Sequence, residues 1–561
     1  MKINNIKISN YKSIKDIDID LSPKVNVFIG ENSVGKSNIF KAITWLIGPV
    51  YPSFNNISTE DYYMGDTSKN INISLSFDDG NKLSLSQVWY DSGNREKSGL
   101  NLNNGYITNE AREKYISSFI GVDREISDYL PSNKYTLIGR FLQDVNSKFN
   151  TEKEIDETTG EETLKSEIFK NKLIKLRDEY LFSVKDDDGN NIMENFKNIL
   201  QEETAKQLNK ETENFDVDLN LYDPWNFYKT LQLTVHESDM NLNFRASELG
   251  MGVQASITIA ILKAYSKLKL KNNTPIFIDE PELFLHPHGR RNFYKIIREL
   301  ADSGTQIFLT THSTEFIDLG YFDEICVVRK NKDLGTYVKK ANPKDFKEDL
   351  KIRTNIDSSE EDIKLHFKNA YENTGDSQKA SEAIFAKKII LVEGESEALL
   401  LPYFFNLAGF DYIANGITIV RCGGKNELDR FYRLYTEFGI PCYIIFDGDA
   451  QNIGTDDEEN SRKKNKCLFD LLNIDETDFP ETTISDKYMM FHTVLEDNLD
   501  SASCNKKGLK LFIHTKSIIN SKDTLPSWVN QLIEKIKNLP EETESVLFKE
   551  NQEEDPFADL F

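Results

Sequence analysis

The sequence is poor in the features that mark exported, membrane-spanning or zinc-holding proteins. Its five cysteines, Cys326, Cys422, Cys442, Cys467 and Cys504, show no CxxC spacing. That excludes a cysteine-based zinc module and a disulfide framework, and fits reduced thiols in a cytoplasmic protein. No apolar run reaches the ~18–20 residues of a membrane helix, so no membrane partner is expected. The opening MKINNIKISNYKSI lacks the apolar core of a secretory signal. Basic charge is also short: 68 Lys and Arg stand against 92 Asp and Glu, a net charge of −24. At face value this opposes a nucleic-acid partner, because phosphate binding needs a basic footprint. The objection weakens where carboxylates are neutralised by bound cations and a basic face persists locally. Some of the excess lies in the end EETESVLFKENQEEDPFADLF, which has the composition of a disordered acidic tail.

What is present supports folded domains. Hydrophobic residues make up 39% and aromatics 11% of 561 residues, enough for two or three packed domains. KINNIKISNYKSIKDIDIDL alternates like strands, VNVFIG reads as a buried strand and SNIFKAITWLI as a helix. NINISLSFD and KLSLSQVWY flank Asp79-Gly80, a hairpin signal. Residues 140–225 turn highly charged and helix-rich, as an insertion would. The α/β pattern resumes near LQLTVHESD and runs to about residue 345. A polar connector over 346–380 precedes a second α/β unit beginning at KKIILVEGES.

GENSVGKSN fits the phosphate-loop pattern G-x-x-x-x-G-K-[ST], placed between a buried strand and a helix. Gly30 and Gly35 let backbone N–H groups turn toward phosphates, and the helix N-terminus adds partial positive charge. Lys36 is expected to reach the β and γ phosphates of ATP and Ser37 to hold Mg²⁺. Asn32, Ser33 and Asn38 complete the contact set. TPIFIDEPELFLHP supplies Asp279 for the Mg²⁺ shell and Glu280 to orient or deprotonate water. IFLTTHS places His312 at the end of the next strand, as a γ-phosphate sensor.

A third feature departs from simple phosphate-loop enzymes. Ser247, Gly250, Gly252 and Gln254 in SELGMGVQAS resemble the signature of ABC-type ATPases of the SMC and RecF kind. That resemblance covers roughly residues 1–345. It implies a head-to-head dimer in which the signature of one copy meets the γ-phosphate bound by the other.

The second unit poses its own chemistry. PCYIIFDGDA ends an apolar run in Asp447-Gly448-Asp449. Upstream, KKIILVEGESE sets Glu393 and Glu397 at a strand end and helix start; downstream, MFHTVLEDNL sets Glu496 and Asp497 after another strand. Parallel strands gather their C-terminal ends at the ligand edge of an open α/β sheet. Carboxylates crowded there select hard cations, Mg²⁺ or Mn²⁺, and suit a two-metal cleavage of a phosphodiester. SRKKNK and NKKGLK read equally as DNA-backbone contacts or plain solvated surface.

FAKKIILVEGESE, CGGKNELDRFYRLYTEFGIPCYIIFDGDA and VLEDNL resemble the Toprim domain of the OLD nuclease family, including the Gabija-type nuclease subunit. So does the order of an ABC-type ATPase followed by Toprim. The resemblance implies an α/β fold: an ATPase head over 1–345 whose helical insertion dimerises, a connector over 346–380, Toprim over 381–540 and an acidic tail over 541–561. It matches Glu393 and Glu397 to the first acidic motif, Asp447 and Asp449 to the second and Glu496 to the third. It also implies a catalytic lysine, with Lys522 the best match and Lys516 a weaker one. Val494 stands where family members often carry a polar residue, which would weaken one metal position or shift a ligand to Asp497. The implied activity is a metal-dependent DNA endonuclease regulated by ATP, with a prokaryotic anti-phage role and a partner protein or nucleic acid. The rival reading is an SMC- or RecF-like ATP-dependent DNA clamp or repair ATPase with an inactive Toprim domain.

Overall fold

A computed structural model describes residues 1–48, 57–87, 99–121, 137–155, 160–207, 234–237, 242–245, 248–267, 274–373, 376–474, 478–499 and 506–547. Ser247, Cys504, the second half of the acidic end and part of the 140–225 insertion lie outside the described residues. The chain divides into two compact units. One comprises residues 1–112, 277–282 and 306–561; the other comprises 113–276 and 283–305.

The first unit holds two sheets. In the larger, the strand order is Gly105–Tyr106, Gly99–Leu102, Lys82–Gln87, Ile71–Phe77, Ile3–Tyr11, Ile14–Asp20, Gly335–Lys340, Ile325–Asn331, Val25–Ile29, Ile307–Thr311, Ile276–Asp279. The alternating N-terminal run becomes an antiparallel pair with Ile6 opposite Ile19 and Ile8 opposite Ile17, so one face is apolar. Val25–Ile29 is buried at every position and runs parallel to Ile307–Thr311 and Ile325–Asn331. Central parallel strands are covered on both faces, so VNVFI is apolar on both faces apart from Asn26, whose amide is satisfied by Ser22. Ile71–Phe77 and Lys82–Gln87 form the hairpin expected around Asp79-Gly80.

The smaller sheet runs Ile417–Arg421, Lys388–Val392, Cys442–Asp447, Tyr488–Phe491, Thr483–Ile484. Its first four strands are parallel and Thr483–Ile484 is antiparallel. Helix Glu395–Ala408 packs Leu400, Leu401, Phe404 and Phe405 into a core shared with Leu511, Val529, Leu532 and Ile536.

Two stretches carry more structure than their composition announces. The connector is helical over Pro343–Thr354, Glu360–Asn373 and Ser377–Ala383. Ile363, Phe367 and Ala370 recur at helical spacing and are buried, with Phe367 against Phe322 and Phe346. Residues 541–547 are tied down although they open the acidic end. Glu542 accepts from Tyr337 at 3.0 Å and pairs with Lys339 at 3.5 Å, and Leu547 is buried.

The second unit is mostly helical: Leu137–Thr151, Lys165–Leu176, a π-helical turn Arg177–Leu181, Ile192–Gln207, Met251–Lys267 and Pro287–Asp302. A short hairpin pairs Lys153–Ile155 with Glu162–Leu164.

Candidate nucleotide and acidic sites

The phosphate loop is shaped by contacts that leave no room for side chains. Gly30 has φ 152° and Gly35 φ 113°. A Cβ on Gly30 would stand 2.2 Å from the Val328 carbonyl, and one on Gly35 2.4 Å from Thr336 Oγ1. Helix Lys36–Ile47 starts at Gly35 without a side-chain cap, so its first N–H groups face the loop, the arrangement that receives an anion. Lys36 Nζ donates to the Gly30 and Glu31 carbonyls at 2.9 Å each. Burial pushes its pKa down, against the opposing pull of Glu280, Asp279 and Glu282. Ser37 sits on the first turn of that helix, Asn32 is exposed and Ser33 adopts φ 64°. Asn38 donates to Ser13 Oγ at 2.8 Å, and Thr336 donates to the Val34 carbonyl at 2.6 Å.

Asp279 and Glu280 lie beside this loop at the end of Ile276–Asp279. Thr310 Oγ1 donates to Asp279. Glu280 takes φ 47°, and its N–H donates to the Thr310 carbonyl at 3.1 Å. His312 Nε2 is 3.9 Å from Glu280 Oε1. Burial and the nearby Lys36 ammonium lower the His312 pKa, with Glu280 opposing them. Glu282, which sequence reasoning passed over, fixes the same strand end. It accepts from Thr311 Oγ1 at 2.9 Å and from the His312 N–H at 2.6 Å. Its signal was the third acid in DEPE. In the other unit, Gly250 opens helix Met251–Lys267, and Gln254 Nε2 donates to the Leu249 carbonyl at 2.7 Å. A Cβ on Gly252 would lie 3.3 Å from the Phe284 carbonyl.

The smaller sheet brings five carboxylates to one edge. Glu393 follows Lys388–Val392, Asp447 ends Cys442–Asp447, and Glu496 follows Tyr488–Phe491 in a 3-10 turn. Gly448 answers to space rather than flexibility. A Cβ there would lie 2.5 Å from the His492 carbonyl and 2.6 Å from that of Phe491. The neighbouring strand end thus presses against the Asp-Gly-Asp turn, and Asp449 follows in the left-handed region at φ 59°.

Each carboxylate is held by a protein donor. Asp447 N–H donates to Glu393 at 3.3 Å, Gly394 N–H to Glu397 at 3.0 Å, and Leu495 N–H to Asp447 at 3.0 Å. Lys425 Nζ sits 2.6 Å from Asp449 and 2.7 Å from Asn465 Oδ1. Glu496 accepts from Ser396 and from Lys507, both at 2.7 Å. Burial, joined by Asp449 and Glu397 and opposed by Lys425, raises the Glu393 pKa to about 7. Burial and then the Glu496 charge raise that of Glu397. Asp447 is pushed well above its usual range by burial and by Glu397, Glu393, Glu496 and Asp449. Burial opposes protonation of Lys507, but the Glu496 carboxylate outweighs it and raises that pKa.

A buried set of oxygen donors that repel one another fits a hard dication. Among the described residues, however, no three His, Cys, Asp or Glu side chains stand ready-made around a metal position. Asp497 is exposed, whereas its neighbour Glu496 is buried. Lys522 is exposed in the turn Lys522–Thr524, and Lys516 is exposed on helix Gly508–Ile518. The lysines in direct contact are Lys425 and Lys507. The first follows two glycines at a helix start, and the second lies in NKKGLK, a run that composition alone left undecided.

Comparison with known proteins matches the chain to two family models and to several nucleases. The family model described as "AAA domain, putative AbiEii toxin, Type IV TA system" matches residues 25–318. The model "Overcoming lysogenization defect protein-like, TOPRIM domain" matches residues 384–449. The OLD nuclease of Thermus scotoductus is 26% identical over 82% of this chain and 85% of its own length. The Old nuclease of Escherichia phage P2 is 25% identical over 80% of this chain and 77% of its own. The endonuclease GajA of Bacillus cereus is 23% identical over 84% of this chain and 78% of its own. The chain belongs to the AAA-domain family of the first model, carries an OLD-like TOPRIM domain, and is similar over most of its length to OLD nucleases.

Proposed function

We propose that the chain is a metal-dependent DNA endonuclease whose TOPRIM carboxylates cut phosphodiesters under control of the nucleotide site. The observation that carries this is the convergence of Glu393, Glu397, Asp447, Asp449 and Glu496 at one sheet edge, buried enough to raise the pKa of three of them. A structural sheet edge gains nothing from such repulsion. These residues would hold Mg²⁺ or Mn²⁺, which supplies an activated water and charge neutralisation at the phosphate. Lys507, on Glu496, is the better-placed cation for the leaving oxygen, ahead of Lys522.

In the nucleotide site, Lys36, Ser37 and Asp279 bind ATP with Mg²⁺, and Glu280 with His312 acts at the γ-phosphate. Ser247, Gly250 and Gly252 contact the ATP of a second copy, so the working form is at least a homodimer. A cytoplasmic role in anti-phage defence with a defence partner is part of the same proposal and rests on the resemblance to the Gabija-type nuclease subunit.

Supercoiled plasmid incubated with Mg²⁺ or Mn²⁺, with and without ATP, tests the reading. Nicked or linear product is expected from the wild-type chain and not from Glu393→Ala. Intact plasmid under every condition, with ATP hydrolysis preserved, would instead favour the DNA clamp.

A further inference from the structure

A stretch of the acidic chain free of acidic residues is set by the fold beside the proposed nuclease site. Between Asp500 and Asp523 the sequence has five lysines, Lys506, Lys507, Lys510, Lys516 and Lys522, and neither Asp nor Glu. Elsewhere acids outnumber bases, so this local reversal of sign is the feature a polyanion would select.

Half of the stretch is helix Gly508–Ile518. Its inner face is anchored. Leu511 is fully buried, Phe512 packs on Tyr403 with ring centroids 5.4 Å apart, and Tyr403 Oη donates to the Ile519 carbonyl just past the helix at 2.7 Å. Tyr403 belongs to helix Glu395–Ala408, which carries Glu397 in its first turn. At the near end, Lys507 touches Glu496. The helix is therefore held in a fixed position beside the acidic edge.

Its outer face is unusual. Leu509 is 71% exposed and Ile513 60%, one turn apart, and Lys510 and Lys516 are exposed beside them. Two bare aliphatic side chains flanked by lysines suit a strand whose phosphates meet ammonium groups while its sugar and base edges meet apolar surface. Eleven helical residues span about 16 Å, roughly five nucleotide steps along one DNA strand at 3.4 Å each.

We infer that this helix is the substrate track. Lys510 and Lys516 contact successive phosphates, and Leu509 and Ile513 abut the strand between them, leading one phosphodiester to the carboxylates beyond Lys507. The inference rests on the proposed nuclease reading and names the surface that delivers its substrate.

The test is salt-dependent binding of a labelled DNA duplex to the full-length Glu393→Ala chain, which cannot cut it. Substituting both Lys510 and Lys516 by Gln is expected to reduce the slope of log K against log salt by about two, since each lost phosphate contact removes about 0.9. The double Lys→Arg variant should keep the slope. Substituting Leu509 and Ile513 by Ser should weaken binding about tenfold with the slope unchanged. Thermal melting of each variant checks that it folds. An unchanged slope in the folded Lys→Gln variant, or unchanged affinity in the Leu/Ile variant, overturns the track. If wild-type protein cuts plasmid while either of these holds, only the track fails. If the wild-type chain neither cuts nor binds DNA, the nuclease reading fails with it.

Discussion

Gly448 shows how one missing side chain shapes a site. The carbonyls of Phe491 and His492 lie within 2.6 Å of where its Cβ would be, and Gly448 N–H donates to the Phe491 carbonyl at 2.6 Å. Gly448→Ala must push two backbone segments apart, at a cost of about 1–3 kcal/mol, and displace Asp447 and Asp449 together. The expected result is a lowered denaturation midpoint with loss of plasmid nicking. A variant of native stability that nicks normally would contradict this account. Lys425 is the complementary case. It is only 2% exposed, and its ammonium satisfies Asp449 and Asn465 at once. Lys425→Met leaves a carboxylate without its buried partner, so about 3–5 kcal/mol of stability should be lost, read by urea denaturation. A loss below about 1 kcal/mol would mean that water replaces the ammonium there.

At the scale of elements, strand Gly335–Lys340 supports the phosphate loop from below. Thr336 is fully buried, and its hydroxyl bridges Ser13 Oγ and the Val34 carbonyl. Thr336→Val keeps the shape and removes the bridge, leaving a buried carbonyl short of a donor, worth about 1–3 kcal/mol. Binding of a fluorescent ATP analogue should weaken about tenfold or more, and equal affinity would remove Thr336 from the loop's support. Nothing near GENSVGKSN in the sequence announces Thr336, because it lies some three hundred residues away and acts through strand pairing. Lys507 is only eleven residues from Glu496, but nothing in NKKGLK marks which lysine turns back to it. What the sequence does reveal is what local chemistry dictates: a glycine-bounded loop before a helix, apolar runs that end in acids, and alternation in the N-terminal pair. The connector reads as polar because its helices bury one narrow stripe, Ile363, Phe367 and Ala370, among many charges. Lys522 is the instructive contrast. Sequence order favours it, but the fold leaves it exposed while Lys507 reaches Glu496.

Across the whole molecule, the phosphate-loop sheet and the carboxylate sheet fall in one compact unit, and buried ionic contacts show why. Arg433 is 3% exposed and Asp349 1%. Arg433 bonds Asp429 at 3.0 Å on its own helix and Asp349 at 3.1 Å on helix Pro343–Thr354, while Arg353 bonds Asp349 at 2.9 Å. Helix Pro343–Thr354 follows directly on the strand that braces the phosphate loop, and the Arg433 helix begins at Lys425 on Asp449. A second tie runs through residues 541–547. Glu542 binds Tyr337 beside the first sheet, while Thr543 N–H donates to the Gly439 carbonyl and Ser545 to Glu437 on the second. Two sheets joined by buried charges with few alternative partners should unfold together, because separating them exposes unpaired ions at several kcal/mol each. Scanning calorimetry of the wild-type chain is expected to show this unit melting in one endotherm. Arg433→Met removes the Arg433 ion pairs of Asp349 and Asp429, so the endotherm should broaden or split, with the acidic sheet melting first. A wild-type trace already split between the two sheets would mean that these contacts do not couple them.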